Sequence, residues 1–342
     1  MPVNQHLLKV AARRTYEVQN NRLRDAQRIK DMVSKGVISE AEAKTLTSAL
    51  SDASAQEREA EGLYEKVLYA EANKAPVFKQ WLIKVKGIGP RLASLLVGDI
   101  GDISRFDNVA KLWAYCGYRV LHDVTMLDGT IHKDLHRVLN EGETTKLWTA
   151  PHETITVTTR DIEKVSGHGV RHTKGQVSNW NARLKVTCWK VGQSFIKVGG
   201  YYRSEYDTYR RYLEDRQVSR GYTIYRQEED SGVYIPYRWP GKTPPPPPPK
   251  PIRKRPEWTA GRIHNMAIRR VVKLFLAHLW EAWRDCENLT TRPPYLAQYG
   301  DGLPTGTPSA WDILKDPDER PSKRAPRPAP DLKLKEDHGL PN

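Results

Sequence analysis

The run "VKGIGPRLASLLVGDIG" over 85–101 sets the tightest limit on how this chain folds. Gly87-Ile88-Gly89-Pro90 interrupts apolar sequence that would otherwise continue as one buried helix, so the chain must turn there. Pro90 suits a first helical position, where its missing N–H costs nothing. Gly87 and Gly89 offer backbone conformations that side chains resist, and they leave room for close approach. "FKQWLIKV" (78–85) reads as a short amphipathic helix before the turn and "PRLASLLVGDI" (90–100) as a second after it. The amides opening the second helix, with the positive end of its dipole, then face outward as a phosphate-binding surface. Lys84, Lys86 and Arg91 ring Gly87, Ile88 and Gly89 with positive charge.

A glycine hairpin between two helices is an element by which many DNA-binding proteins grip backbone phosphates without reading sequence. The packing alternative is a tight corner between two helices. Composition weighs toward nucleic acid: 55 Lys and Arg against 41 Asp and Glu give a net charge of +14. No apolar run approaches the roughly 18 residues of a membrane span. The N-terminus lacks the pattern of a secretory leader. Cys116, Cys188 and Cys286 are odd in number and far apart, which suits a reducing compartment. The expectation is a cytoplasmic protein with DNA as partner and no membrane.

The expected fold class is mainly α: a helical arm, a helix-hairpin-helix domain with small inserted β-hairpins, and a disordered C-terminal tail. Residues 1–75 read as a helical hairpin or coiled-coil arm of two helices. The first ends near Lys35 before Gly36, and Ser39 with Glu42 forms a capping box for the second. Residues 39–75 hold eight acids against four bases, so the arm is not the nucleic-acid surface. A solvated hairpin and a homodimer through 16–75 remain equal readings. Residues 76–121 form the helix-hairpin-helix domain, with Asp107 capping its last helix. Residues 122–165 are an inserted irregular or β segment around "TITVTT" (154–159).

Residues 166–240 are a basic helical segment with a β-hairpin. Its helix spans 178–217 with Leu184, Cys188, Val191, Phe195 and Val198 on one face. Arg183, Lys190 and Lys197 recur every seven residues as a basic stripe. Tyr201, Tyr202, Tyr206, Tyr209 and Tyr212 interleave with Arg203, Arg210, Arg211 and Arg216, which suits stacking on unpaired bases as well as inward packing. Residues 241–257 are a Pro-rich basic linker, 258–289 an amphipathic helix, and 290–342 the tail.

The stretch 82–118 resembles the C-terminal domain of insertion-sequence transposases of the IS110/IS116 family, the bridge-RNA-guided transposases. "KGIGP", "GDISRF" and "AYCG" match that family's Pro-Gly-Ile-Gly-Pro, Gly-Asp-Ile-Ser-Arg-Phe and Ala-Tyr-Ala-Gly in order. The resemblance resumes at "SGHGVRHTKGQVSNWNARLKV" (166–186), with Asn181-Ala182-Arg183-Leu184 opening a helix. It covers 82–121, 166–215 and 258–285. It implies that Ser166 stands where the family has its catalytic serine, with Arg171 and Lys174 as neutralising cations. A serine hydroxyl can attack a DNA phosphodiester and hold it as a covalent ester. About 48 residues separate "AYCGY" from Ser166, more than the family usually has.

Family members begin with an RNase H-like domain carrying metal ligands, whereas residues 1–75 read as helical. The expectation is therefore no cofactor in this chain, with Mg2+ supplied through a separate RNase H-like subunit and a guide RNA as a further partner. The expected role is DNA transposition or recombination. The alternative is a non-catalytic DNA- or RNA-binding relative. "PGKT" (240–243) lacks the first glycine of a phosphate loop. His168 and His172 flank Gly169 without a cysteine pair, so no metal site is expected there.

Overall fold

The computed structural model describes residues 3–149, 153–170, 177–228, 232–237, 256–291 and 308–315, together with Gly175 and Lys254. The six prolines at 244–249 lie outside the described residues. The chain divides into two compact units: Met1–Ile103 with Cys286–Asn288, and Ser104–Asp285 with Leu289–Asn342. The described residues are mainly helical, with three small antiparallel sheets.

The first unit is all helix: α1 (Gln5–Ser34), α2 (Glu40–Ala49), α3 (Ser51–Ala72), α4 (Pro76–Gln80) and α5 (Pro90–Ile100). The Ser39–Glu42 capping box is present in full, and Gly36 follows the end of α1 in the left-handed region. The second arm helix is not continuous, because Leu50 leaves helical geometry (φ −90°, ψ 3°) and separates α2 from α3. α1 and α3 run antiparallel: the Asn4 N–H reaches Glu71, while Arg22 pairs with Glu61 at 3.1 Å. Only the base of this arm has a core. Leu8, Ala11, Ala12 and Thr15 are buried, whereas nothing between residues 16 and 60 is. Gly98 lets α5 close on α1, since a Cβ there would stand 3.1 Å from Leu8 Cγ.

In the second unit α6 (Val109–Tyr115) leads into a β module. The module comprises β1 (Val120–Met126), β2 (Ile131–Leu135), β3 (Arg137–Glu141), β4 (Thr144–Trp148), β5 (Thr154–Thr158) and β6 (Ile162–Gly169). Asn108 rather than Asp107 caps α6, accepting from the Lys111 N–H, and Asp107 instead pairs with Lys111. The strands form two sheets, ordered β2-β1-β6 and β3-β4-β5. Val124, Met126 and Leu135 from the first meet Val138 and Leu147 from the second in one small core, with Val157, Ile162 and Val165 packed against it. Period-2 alternation thus turns one face of β2-β1-β6 inward and leaves the other open.

Residues 178–217 are two helices rather than one: α7 (Ala182–Val198) and α8 (Tyr201–Ser219), parted by Gly199-Gly200. β7 (Tyr225–Gln227) and β8 (Tyr234–Pro236) form the expected hairpin. α9 (Ala260–Cys286) is the axis of the unit. Ile268, Val271, Val272, Phe275, Leu279 and Trp283 are buried as its periodicity predicts, and so are Leu274, Leu276, Ala277, Trp280 and Ala282. A helix apolar on nearly every side is one surrounded by others. α7 crosses it at Gly192, where a Cβ would come within 2.8 Å of Ile268. Trp113 of α6 donates to the Lys273 carbonyl at 2.9 Å.

The stretch 308–315 departs from the expectation of a disordered tail. Residues 308–315 form a short turn in which Ala310 is fully buried and its N–H donates to Glu281 at 3.1 Å. Trp311 donates to Asp285 at 2.9 Å, so an apolar anchor and two polar ones hold this stretch on α9.

Candidate functional site

Ser166 lies inside strand β6, in register with Asp123 of β1, and not in a glycine-rich loop. Leu121 is opposite His168 in the same ladder. Val124 and Val165, the next pair along, point into the module core. Asp123, Ser166 and His168 therefore share the open face of the sheet.

Strand β2 contributes a third polar group. The β1–β2 register breaks between His122 and Val124, and Asp134 there adopts a left-handed backbone (φ 55°). Such a bulge re-aims side chains beside it. The Asp134 N–H donates to Asp123 Oδ1 at 3.0 Å. His168 Nε2 lies 3.1 Å from Asp123 Oδ1 and 3.6 Å from Asp134 Oδ1. His168 Nδ1 faces the Gly169 carbonyl at 3.2 Å. Burial raises the Asp123 pKa, but the Asp134 N–H and the His168 ring outweigh it and hold the carboxyl below its ordinary value.

Two cations flank the end of β6, Lys185 from α7 and Arg269 from α9, the latter on the face of Val120 rather than that of Asp123. The Arg269 guanidinium lies so near Gly169 that any side chain there would collide with it. Lys185 donates to the Val170 carbonyl at 3.0 Å and sits over the Trp180 ring at 4.4 Å. Burial, then Arg269, lowers the Lys185 pKa. A cleft of about 510 Å³ opens beside the trio, walled by Arg119, Lys133, His136, Val170 and residues 177–180. Arg171 and Lys174 lie outside the described residues, between Val170 and Val177 in sequence.

The expected phosphate-binding turn belongs to the first unit. Gly87 has φ 97°, and Ile88 is buried beneath it. Gly89 is different: its φ is −79°, it is exposed, and a Cβ there would meet nothing within 4 Å. No side chain caps α5 at Gly89. Lys84 and Lys86 are exposed. Arg91 is committed elsewhere, bonding Glu61 and Glu65 of α3 at 2.8 Å each. Its guanidinium ties the arm to α5 and contributes no open charge to the turn.

Lys197 is exposed on α7, while Arg183 and Lys190 are half-buried. The tyrosine series of α8 mostly packs inward. Tyr202 bonds His278 Nδ1 at 2.9 Å, and Tyr206 bonds His264 Nδ1 at 2.6 Å while accepting from Arg210 at 2.6 Å. Tyr212 keeps 42% of its surface. Sequence reasoning missed Asp123 and Asp134, and set His168 aside. Their chain separation hides them, although the alternation through β1 and β6 was a usable signal.

Residues 79–123 match a family model described as the Transposase IS116/IS110/IS902 family. The match covers 45 of the 342 residues. The segment runs from α4 through α5 and α6 into β1, ending on Asp123. It supports a transposase-like role in transposition. No curated protein and no solved structure matches the chain. No helix among the described residues is long and apolar enough to cross a membrane.

Proposed function

We propose that this protein acts on the DNA backbone during transposition, with Ser166 as nucleophile on the open face of β2-β1-β6. One observation carries the reading: Ser166 is exposed, in register with Asp123, on the face that also holds His168. In the reaction a bond forms from Ser166 Oγ to phosphorus as a strand P–O bond breaks. The hydroxyl proton leaves, and the departing strand oxygen is protonated in turn. Asp123 and His168 are the neighbouring groups able to assist ionisation, directly or through a cation. Arg119 and Lys133 line the adjoining cleft and suit the charge developing on phosphate. A guide RNA and an RNase H-like subunit are the partners this reading calls for, with the arm over 16–75 as the surface for a second copy.

The turn at Gly87–Gly89 is the second backbone contact in this reading. Its test is a pair of glycine substitutions. Gly87→Ala forces a side chain into the left-handed region and should cost about 1–2 kcal/mol of stability. Gly89→Ala meets no internal obstacle and should change stability by less than about 1 kcal/mol, yet it places a methyl where a phosphate would approach. Duplex binding by fluorescence anisotropy at several salt concentrations should fall about fivefold in Gly89→Ala, with the salt slope retained. Unchanged affinity in Gly89→Ala would remove the turn from the DNA surface.

A further inference from the structure

We infer that Asp123, Asp134 and His168 form a binding site for one divalent cation, of the Mn2+ class, whose open positions face the cleft. One donor atom from each residue lies within 4.8 Å of the other two. The His168 contacts, at 3.1 and 3.6 Å, approach the roughly 3 Å spacing of neighbouring donors on an ion about 2.1 Å from each.

The imidazole supplies the second observation. A carbonyl oxygen only accepts, so the hydrogen bond to Gly169 puts a proton on Nδ1. Nε2 then faces two carboxylate oxygens. Carboxylate oxygens only accept, so a positive charge belongs at Nε2, carried by a second ring proton or by a metal ion. A ring N–H held by a backbone carbonyl, with the other nitrogen turned to carboxylates, is how metal-ligating histidines are oriented.

Two carboxylates and one imidazole make a mixed oxygen–nitrogen set, which suits Mn2+ better than the all-oxygen preference of Mg2+. Three protein ligands leave positions for water or for an oxygen of a bound phosphodiester. The Asp134 side chain is 70% exposed, so the ion can be reached from solvent. Lys133 and Arg119 on the same cleft oppose a second cation and favour an anionic ligand. The role of the ion in DNA chemistry rests on the Ser166 reading, whereas its binding does not.

The test uses the full-length protein without DNA and Mn2+ as probe, followed by electron paramagnetic resonance and calorimetry. The expected result is one Mn2+ per chain. Asp134→Asn and His168→Gln should each weaken binding at least about tenfold. Asn tolerates the backbone of Asp134, so Asp134→Asn should stay folded. Ser166→Ala should bind Mn2+ as the wild type does. Equal affinity in Asp134→Asn would overturn the site. So would no binding at millimolar Mn2+ with His168 doubly protonated by NMR at neutral pH, which makes the trio an ion pair. Loss of Mn2+ in Asp134→Asn alongside unimpaired DNA transfer by Ser166→Ala would sink the serine reading and leave the metal site standing.

Discussion

Ser166→Ala should reduce strand transfer about a thousandfold or more while leaving duplex affinity within about twofold of wild type. The hydroxyl is the only atom removed, and it lies on an exposed strand position where alanine keeps the same backbone. Stability should therefore move by less than about 0.5 kcal/mol. A folded, DNA-binding, inactive variant separates a nucleophile from a surface residue. Were Ser166 only a polar residue on an open sheet face, activity would survive the change. Full transfer by Ser166→Ala would return the chain to the non-catalytic alternative, in which the segment binds nucleic acid and another protein cuts it.

Lys273→Met should stabilise the second unit by about 2 kcal/mol at pH 7, and the gain should vanish toward pH 10.5. Lys273 sits on α9 with its ammonium 4.1 Å from the Trp113 ring centre. Burial, then Arg269 and Arg270 beside it, lowers its pKa to about 8 from 10.5. Below pH 8 the residue is charged in both the folded and unfolded chains, and the folded state bears the full cost. Between about pH 8 and 10.5 the unfolded chain holds the proton while the folded one has lost it. Wild-type stability from this residue therefore rises with pH across that window. The contact with Trp113 offsets part of the penalty, which leaves an expected gain of about 2 kcal/mol rather than the full desolvation cost. Urea titrations of both proteins at pH 7 and pH 10 isolate the residue, because other titrating groups cancel in the difference. A loss of stability in Lys273→Met at pH 7 would show the cation–π contact outweighing desolvation.

Local features of this fold were legible because they depend on neighbours in sequence. The Ser39–Glu42 box, Gly36 after α1, Pro90 opening α5 and the apolar stripe of α9 are all set within one or two helical turns. The candidate site was not legible for the opposite reason. Asp123, Asp134 and His168 come from three strands, and a bulge at Asp134 brings the second to the first. Nothing within a short window announces that meeting. The tyrosines of α8 were ambiguous because aromatics interleaved with arginines at helical spacing suit either a base-stacking face or a packed one. His278 and His264 on α9 decide it, by bonding the hydroxyls of Tyr202 and Tyr206. Arg91 misled because charge alone does not reveal a partner. Two glutamates on α3, thirty and twenty-six positions away, claim its guanidinium.

The most direct measurement is to incubate the protein and Mn2+ with DNA flanking its own reading frame, denature it, digest it and locate the attached nucleotide by mass spectrometry. The expected result is a nucleotide esterified to the peptide containing Ser166, present in wild type and absent in Ser166→Ala. A nucleotide on any other residue, or DNA cleaved and joined with no protein-bound strand, would contradict it.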